Sequence, residues 1–194
     1  MKNTLAILTL IAAIAFAFTM PKEALKVDTN ASYITWKGYK VTGQHYGKVK
    51  LKNGTLEYDN GKLTGGSFEI DMATITCEDL QGGGADKLVG HLKSDDFFGV
   101  AKYPTAKFVI TKIAEAKAGE YRVKGDLTIK STTKPISFNA LVSEKEGKKV
   151  ATATIKIDRS EYDVRFGSGS FFDNLGDKTI YDEFDLEVTL VAAK

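Results

Sequence analysis

Apolar and polar residues alternate along most of this chain, and no other feature limits its possible folds so strongly. Phe68, Ile70 and Met72 are separated by Glu69 and Asp71, and Tyr121, Val123, Leu127 and Ile129 alternate with Arg122, Lys124, Asp126 and Lys130. Phe184, Leu186, Val188 and Leu190 are spaced by Asp185, Glu187 and Thr189. Val49 and Leu51 among lysines, Ile136, Phe138, Ala140 and Val142, and Ala151, Ala153, Ile155 and Ile157 repeat the pattern. Neighbouring side chains of a strand point to opposite faces, so a period of two with one polar face describes sheets wet on one side and buried on the other.

Turn chemistry at Asp59-Asn60-Gly61, Ala118-Gly119 and Glu146-Gly147-Lys148 separates these runs and makes neighbouring strands antiparallel. A set of about eight one-sided strands must close on itself or pack on a second sheet. No Cys-Trp-Cys framework marks an immunoglobulin sandwich, and the last strand carries neither a proline nor an inward charge to blunt an exposed edge. The expectation is all-β: an antiparallel eight-stranded, lipocalin-like barrel. Barrels of this size are either filled by their own side chains or hold one small ligand.

Two segments break the alternation. Near residues 85–98, Leu88, Val89 and Leu92 fall at helical spacing, Ser94-Asp95-Asp96 supplies a turn, and Phe97-Phe98 precedes Tyr103-Pro104, which predicts a short helix and turn laid across the barrel. Residues 167–177 are glycine-rich, and Phe171, Phe172 and Leu175 are expected to cover something apolar.

At the N-terminus, Lys2, an apolar run from Leu5 to Phe18 and Ala15-Phe16-Ala17 read as a signal peptide over residues 1–17, with cleavage as late as 20, followed by one domain over 21–194. The run falls short of the roughly 20 apolar residues that span a bilayer. The single cysteine, Cys77, lies far from the cleavage region, which leaves no acylation site there and no intrachain disulfide. The expected destination is the periplasm or the exterior of a bacterial cell, with no stable membrane anchor once the leader is removed. Interleaved charges with a net +2 at pH 7 argue against nucleic acid as a partner. Oligomeric state is open, a homodimer included.

Four ordered blocks carry a family resemblance: residues 45–49 (His-Tyr-Gly-Lys-Val); 90–98 (Gly-His-Leu-Lys-Ser-Asp-Asp-Phe-Phe) with Tyr103-Pro104-Thr105 and Phe108; 125–130 (Gly-Asp-Leu-Thr-Ile-Lys) with Thr133-Lys134-Pro135; and 159–164 (Arg-Ser-Glu-Tyr-Asp-Val). On these the chain resembles the YceI-like family of exported, lipocalin-like barrels that bind polyisoprenoid lipids. Two departures, Asp86-Lys87 where an Arg-Asp pair is common and Ser131 where a glycine is usual, fall near the expected mouth and bear on head-group specificity. The resemblance implies a non-enzymatic protein holding an isoprenoid-type lipid, polyprenyl or quinone-like, for transport, storage or stress protection, with no cofactor required.

Inward parity nominates cavity residues: Trp36, Val49 and Leu51; Phe68 and Ile70; Phe108; Tyr121, Val123 and Leu127; Ile136 and Phe138; Phe184, Leu186 and Val188. Lys93, Lys134, Arg159 and Arg165 stand near irregular segments as candidates for a head group, since guanidinium and ammonium groups pair with anionic oxygens. Alternatives are an enzyme acting on a small apolar molecule through His91 or Arg159, and a filled barrel serving as an interaction module. A Cys-His mechanism would need Cys77 beside His45 or His91. No catalytic or metal site is assigned: two histidines and one cysteine make no zinc cage, and Asp173, Asp177, Asp182 and Glu183 miss the EF-hand spacing.

Overall fold

A computed structural model describes residues 22–193, so the expected leader lies outside the described residues. Nine antiparallel strands occur among them: β1 (Glu23–Val27), β2 (Tyr33–Lys40), β3 (Gly43–Asp59), β4 (Lys62–Asp71), β5 (Thr105–Lys117), β6 (Glu120–Ile129), β7 (Thr132–Lys145), β8 (Lys148–Asp158) and β9 (Ile180–Ala193). One helix, α1 (Gly83–Lys93), stands between β4 and β5. Each strand from β2 to β9 pairs with the next in sequence, and β9 returns to β2 from Tyr33↔Thr189 to Lys40↔Ile180. The barrel is therefore closed, with eight staves.

The ninth strand fits because β1 and β2 are two halves of one stave. β1 pairs with the far half of β3 (Glu23↔Tyr58 to Lys26↔Thr55) and with the end of β9, while β2 continues in the same direction along the near half of β3. Between them the chain bulges out over residues 28–32. The Asp28 carboxylate accepts from the Asn30 and Ala31 amides, and the Asp28 carbonyl accepts from Ser32 N–H. The buried Ser32 hydroxyl then accepts from Val191 N–H at 2.9 Å, replacing the ladder bond that the bulge removes.

β3 runs through two segments that alternate with opposite phase. Val49 and Leu51 face inward, then Leu56 and Tyr58 do, and the register against β4 shifts between Leu51 and Asn53. One extra residue moves every later side chain to the other face, so the bulge keeps both halves apolar on the inside. The β3–β4 turn has positive φ at both Asn60 and Gly61, the conformation that matches a tight hairpin to the strand twist.

The hairpins of β3–β4, β5–β6 and β7–β8 turn at one end, where Leu25, Leu56, Tyr58, Leu63 and Tyr121 form a solid floor of buried side chains. Burial pushes the Tyr58 phenol up to about 12, so at neutral pH it remains an uncharged plug. The helix begins at Gly83, earlier than the expected segment near 85–98, because its first turn carries no apolar pattern. Gly82 O accepts from Asp86 N–H, and Cβ atoms at Gly83 and Gly84 would meet nothing.

Ser32→Ala leaves Val191 N–H without its partner inside a closed ladder and is expected to lower unfolding free energy by about 1–2 kcal/mol, read from the urea midpoint, without loss of β-sheet signal. An unchanged midpoint would contradict the role given to this hydroxyl.

Candidate functional site

Above the floor the barrel is hollow. An inner lobe of about 110 Å³ and an outer lobe of about 280 Å³ meet at Ile70, Leu127 and Leu186, which line both. Space remains because several inward positions are small: Ala140, Ala151 and Ala153 line the inner lobe and Ala106 the outer. Gly125 is inward too, and a Cβ there would run into the Phe108 ring, which leans over it.

The wall holds most of the residues nominated by parity. Trp36, Val49 and Phe184 line the outer lobe; Leu51, Phe68, Phe108, Val123, Ile136, Phe138 and Val188 line the inner; Ile70, Leu127 and Leu186 line both. Tyr121 lines neither and is part of the floor. Missed by parity were Leu88 and Leu92 of α1 with Phe97 and Phe98 after it, which close over the outer lobe. The segment after α1 folds back through Phe98 N–H to Leu92 O and Val100 N–H to Lys93 O, bonds that bring the two phenylalanines under the helix. His91 packs edge-on against Phe97 and Phe166, with ring centroids 4.9 and 4.4 Å away. Phe166, just before the second irregular segment, is thus held by ring contacts on one side while its other side stays exposed. Phe171 and Phe172, expected to cover something, are largely exposed, with Arg165 stacked on Phe171.

The head-group candidates separate in space. Arg159 lines the outer lobe and is 3% exposed. Its guanidinium donates to the carbonyls of Tyr181, Val164 and Ile180 and pairs with Asp182 at 3.3 Å, while lying over the Phe97 ring. It clamps the 163–182 segment to the barrel; Asp182 is its direct ion-pair partner, and the Asp158 carboxylate adds to the favourable field around its charge. Arg165 pairs with Asp163 at 2.6 Å on the surface. Lys134 stands exposed opposite Leu127, and Lys93 is half-buried beside the helix end; neither lines the cavity.

Two further basic residues line it, Lys40 and His45, together with the tyrosines Tyr39 and Tyr181. Extending the alternation Trp36, Gly38, Lys40 and counting back Val49, Gly47, His45 puts both on the inner face, which was the available signal. Next to them, residues 43–49 of β3 lie beyond the last β4 pair, Lys50↔Asp71, and the segment 74–79 takes the place of β4. Thr76 N–H and Glu78 N–H donate to the carbonyls of Lys48 and Tyr46, while the side chains of Thr74, Thr76 and Asp79 accept from the amides of Lys50, Lys48 and Tyr46. Gly47 permits this approach, since a Cβ there would collide with the Thr76 carbonyl. That same carbonyl accepts from the Trp36 indole at 3.0 Å.

Asp79 organises the corner. Its Oδ2 lies 2.7 Å from His45 Nδ1, and its Oδ1 accepts from Tyr46 N–H and from the Cys77 thiol. Burial opposes its ionisation, but the Tyr46 amide, His45 and Cys77 outweigh that and hold its pKa below the ordinary value. The carboxylate takes the hydrogen at Nδ1, leaving Nε2 as the free nitrogen. The Cys77 thiol is raised chiefly by burial and bonds to the carboxylate rather than to the imidazole, so the pair lacks the arrangement that generates a thiolate nucleophile.

A closed antiparallel barrel with an apolar lumen, a solid floor and a helical cover defines the class of this protein. Residues 25–192 match the model of the YceI-like domain, and the chain belongs to that family. A UPF0312 protein of Vibrio cholerae is 31% identical over 144 residues, covering 72% of this chain and 74% of that protein. A UPF0312 protein of Shewanella denitrificans is 35% identical over 94 residues, or 48% of this chain and 47% of that one. Among solved structures, Burkholderia cenocepacia BcnA superimposes with a TM-score of 0.71 at 24% identity, covering 86% of this chain and 99% of that one. A polyisoprenoid binding domain from Saccharophagus degradans gives 0.66 at 15%, covering 87% and 97%. At such identities these two likenesses establish the fold.

A carboxylate whose pKa is depressed on folding contributes stability above its unfolded pKa and loses it as pH falls through the folded one. Asp79→Asn is therefore expected to cost about 1–3 kcal/mol at neutral pH, with the gap to the parent protein closing as acid titrates the carboxylate. Urea melts at neutral and acidic pH measure this, and a gap independent of pH would contradict the assignment.

Proposed function

We propose that the protein is a non-enzymatic carrier that holds the chain of an isoprenoid-type lipid in its barrel, for transport, storage or protection of that lipid. The observation that carries this reading is the cavity itself. Its two lobes follow one another along the barrel, their walls are almost entirely hydrocarbon, and α1 with Phe97 and Phe98 shields the wide end. Burial of apolar surface is worth about 25 cal/mol per Å², so a tail hiding several hundred Å² gains on the order of 10 kcal/mol before ordering and association costs. Hydrocarbon contact alone is sufficient to hold such a tail.

The polyisoprenoid binding described for the Saccharophagus degradans domain supports the same ligand class, as does membership of the YceI-like family. Binding rather than turnover is favoured by the state of the polar groups: Arg159 is spent on backbone carbonyls and Asp182, and the Cys77 thiol is held protonated by its surroundings. The leader suggested by the sequence of residues 1–17 supports a carrier working in the periplasm or outside the cell, where an apolar molecule leaving a membrane needs an escort through water.

Trp36 is the sole tryptophan and lines the outer lobe, so the chain contains its own reporter. Titration with a prenyl alcohol is expected to change its emission saturably at about one ligand per chain, and organic extraction of protein from its native host should release a stoichiometric lipid to mass spectrometry. Linear, unsaturable emission changes together with lipid-free extracts would overturn the proposal.

A further inference from the structure

The mouth of the outer lobe carries bonding capacity that the fold leaves unused. Lys40 ends β2, His45 lies at the start of β3 opposite Gly38, and both sit on the inward face of that hairpin against the cavity. Among the described residues the Lys40 ammonium makes no ion pair, and His45 Nε2 has no partner. The other cation on the wall, Arg159, is already matched by Asp182 and three carbonyls. Both oxygens of Asp79 are likewise engaged, by His45 on one side and by Tyr46 N–H and the Cys77 thiol on the other.

Lys40 is half-buried at the edge of a hydrocarbon chamber, where an ammonium without an ion-pair partner is placed to meet an anionic group on a ligand that enters. The hydrogen-bond logic of His45 agrees. With Nδ1–H fixed on Asp79, neutral His45 offers Nε2 as an acceptor for an acidic O–H; as imidazolium it offers a second N–H, with Asp79 as counter-charge. An oxyacid head that accepts from Lys40 and shares a proton with Nε2 uses both groups at once, whereas a plain alcohol gains little from the ammonium.

We propose that Lys40 and His45 form a head-group site that selects apolar chains ending in an anionic oxyacid, a carboxylate or a phosphate monoester. This rests on the carrier reading above and adds the chemistry of the ligand's polar end. Asp79 is a positioning residue that sets which nitrogen of His45 faces the ligand.

The test is Trp36 fluorescence titration of the full chain with three probes sharing one prenyl tail: geranylgeraniol, geranylgeranoic acid and geranylgeranyl phosphate. At least one anion is expected to bind roughly tenfold tighter than the alcohol, the size of one charge-assisted contact, and the preferred anion identifies the head as acid or phosphate ester. Lys40→Gln should bring the anion-to-alcohol ratio close to one, and Lys40→Arg should keep it high. Lys37→Gln, which removes the same charge from the outer face of the same strand, should also keep it. Equal affinity for all three probes, or equal loss of preference in the Lys37 and Lys40 variants, would overturn the head-group site while leaving the carrier reading intact. Saturable uptake of none of the three would overturn both.

Discussion

Everything in this structure depends on the closure of one hydrogen-bond ladder. Because β9 pairs with β2 as well as with β8, every stave has a hydrogen-bonded neighbour on each side over part of its length, and every second residue of each stave is turned towards a shared apolar lumen. Closure fixes the girth of that lumen, and the side chains then decide whether it is full. At the end with Tyr58, Tyr121 and Leu63 large residues fill it; further along, Ala106, Ala140, Ala151, Ala153 and Gly125 do not. A cavity is the consequence of small residues on a wall whose radius they do not set.

Local irregularities are what allow an imperfect sequence to satisfy a closed ring. The first stave is broken at residues 28–32, and Ser32 supplies the acceptor that Val191 N–H would otherwise lack. The third stave changes phase between Leu51 and Asn53. Where β3 parts from β4, Thr74, Thr76 and Asp79 lend side-chain oxygens to its amides, and the same displacement opens the mouth. The polar corner at His45 is therefore a by-product of how the ladder ends, which explains how a hydrogen-bonded carboxylate comes to stand beside a hydrocarbon chamber.

The barrel was legible because its evidence is local: alternation in residues 121–129 and 184–190, and turn chemistry at Asn60-Gly61, require no knowledge of distant partners. The family blocks were legible for the same reason. The split of the first stave was not, since nothing in residues 23–40 states that β1 and β2 share one position; that follows only from pairing with β3 and β9. Tyr121 has the correct parity but lies at the wrong height, and parity carries no information on height along the axis. In sequence Arg159 stands between Asp158 and Glu161, which suggest a local surface ion pair, and only the fold brings the carbonyls of Ile180 and Tyr181 to it. Phe171 and Phe172 were expected to cover apolar surface on composition alone, yet the loop geometry assigns contact to Phe166. Lys40 and His45 were within reach of the sequence by extending two strands to their ends, where a charged inward residue marks the rim.

The central claim is that the two lobes form one chamber for one apolar chain. A crystal of the protein soaked with a long-chain 1-bromoalkane tests it most directly, because the halogen reports its own position by anomalous scattering. The structure predicts continuous ligand density from Trp36, through the constriction at Ile70, Leu127 and Leu186, towards Val188. Bromine found only on the outer surface, with the lumen occupied by repacked protein side chains, would contradict it.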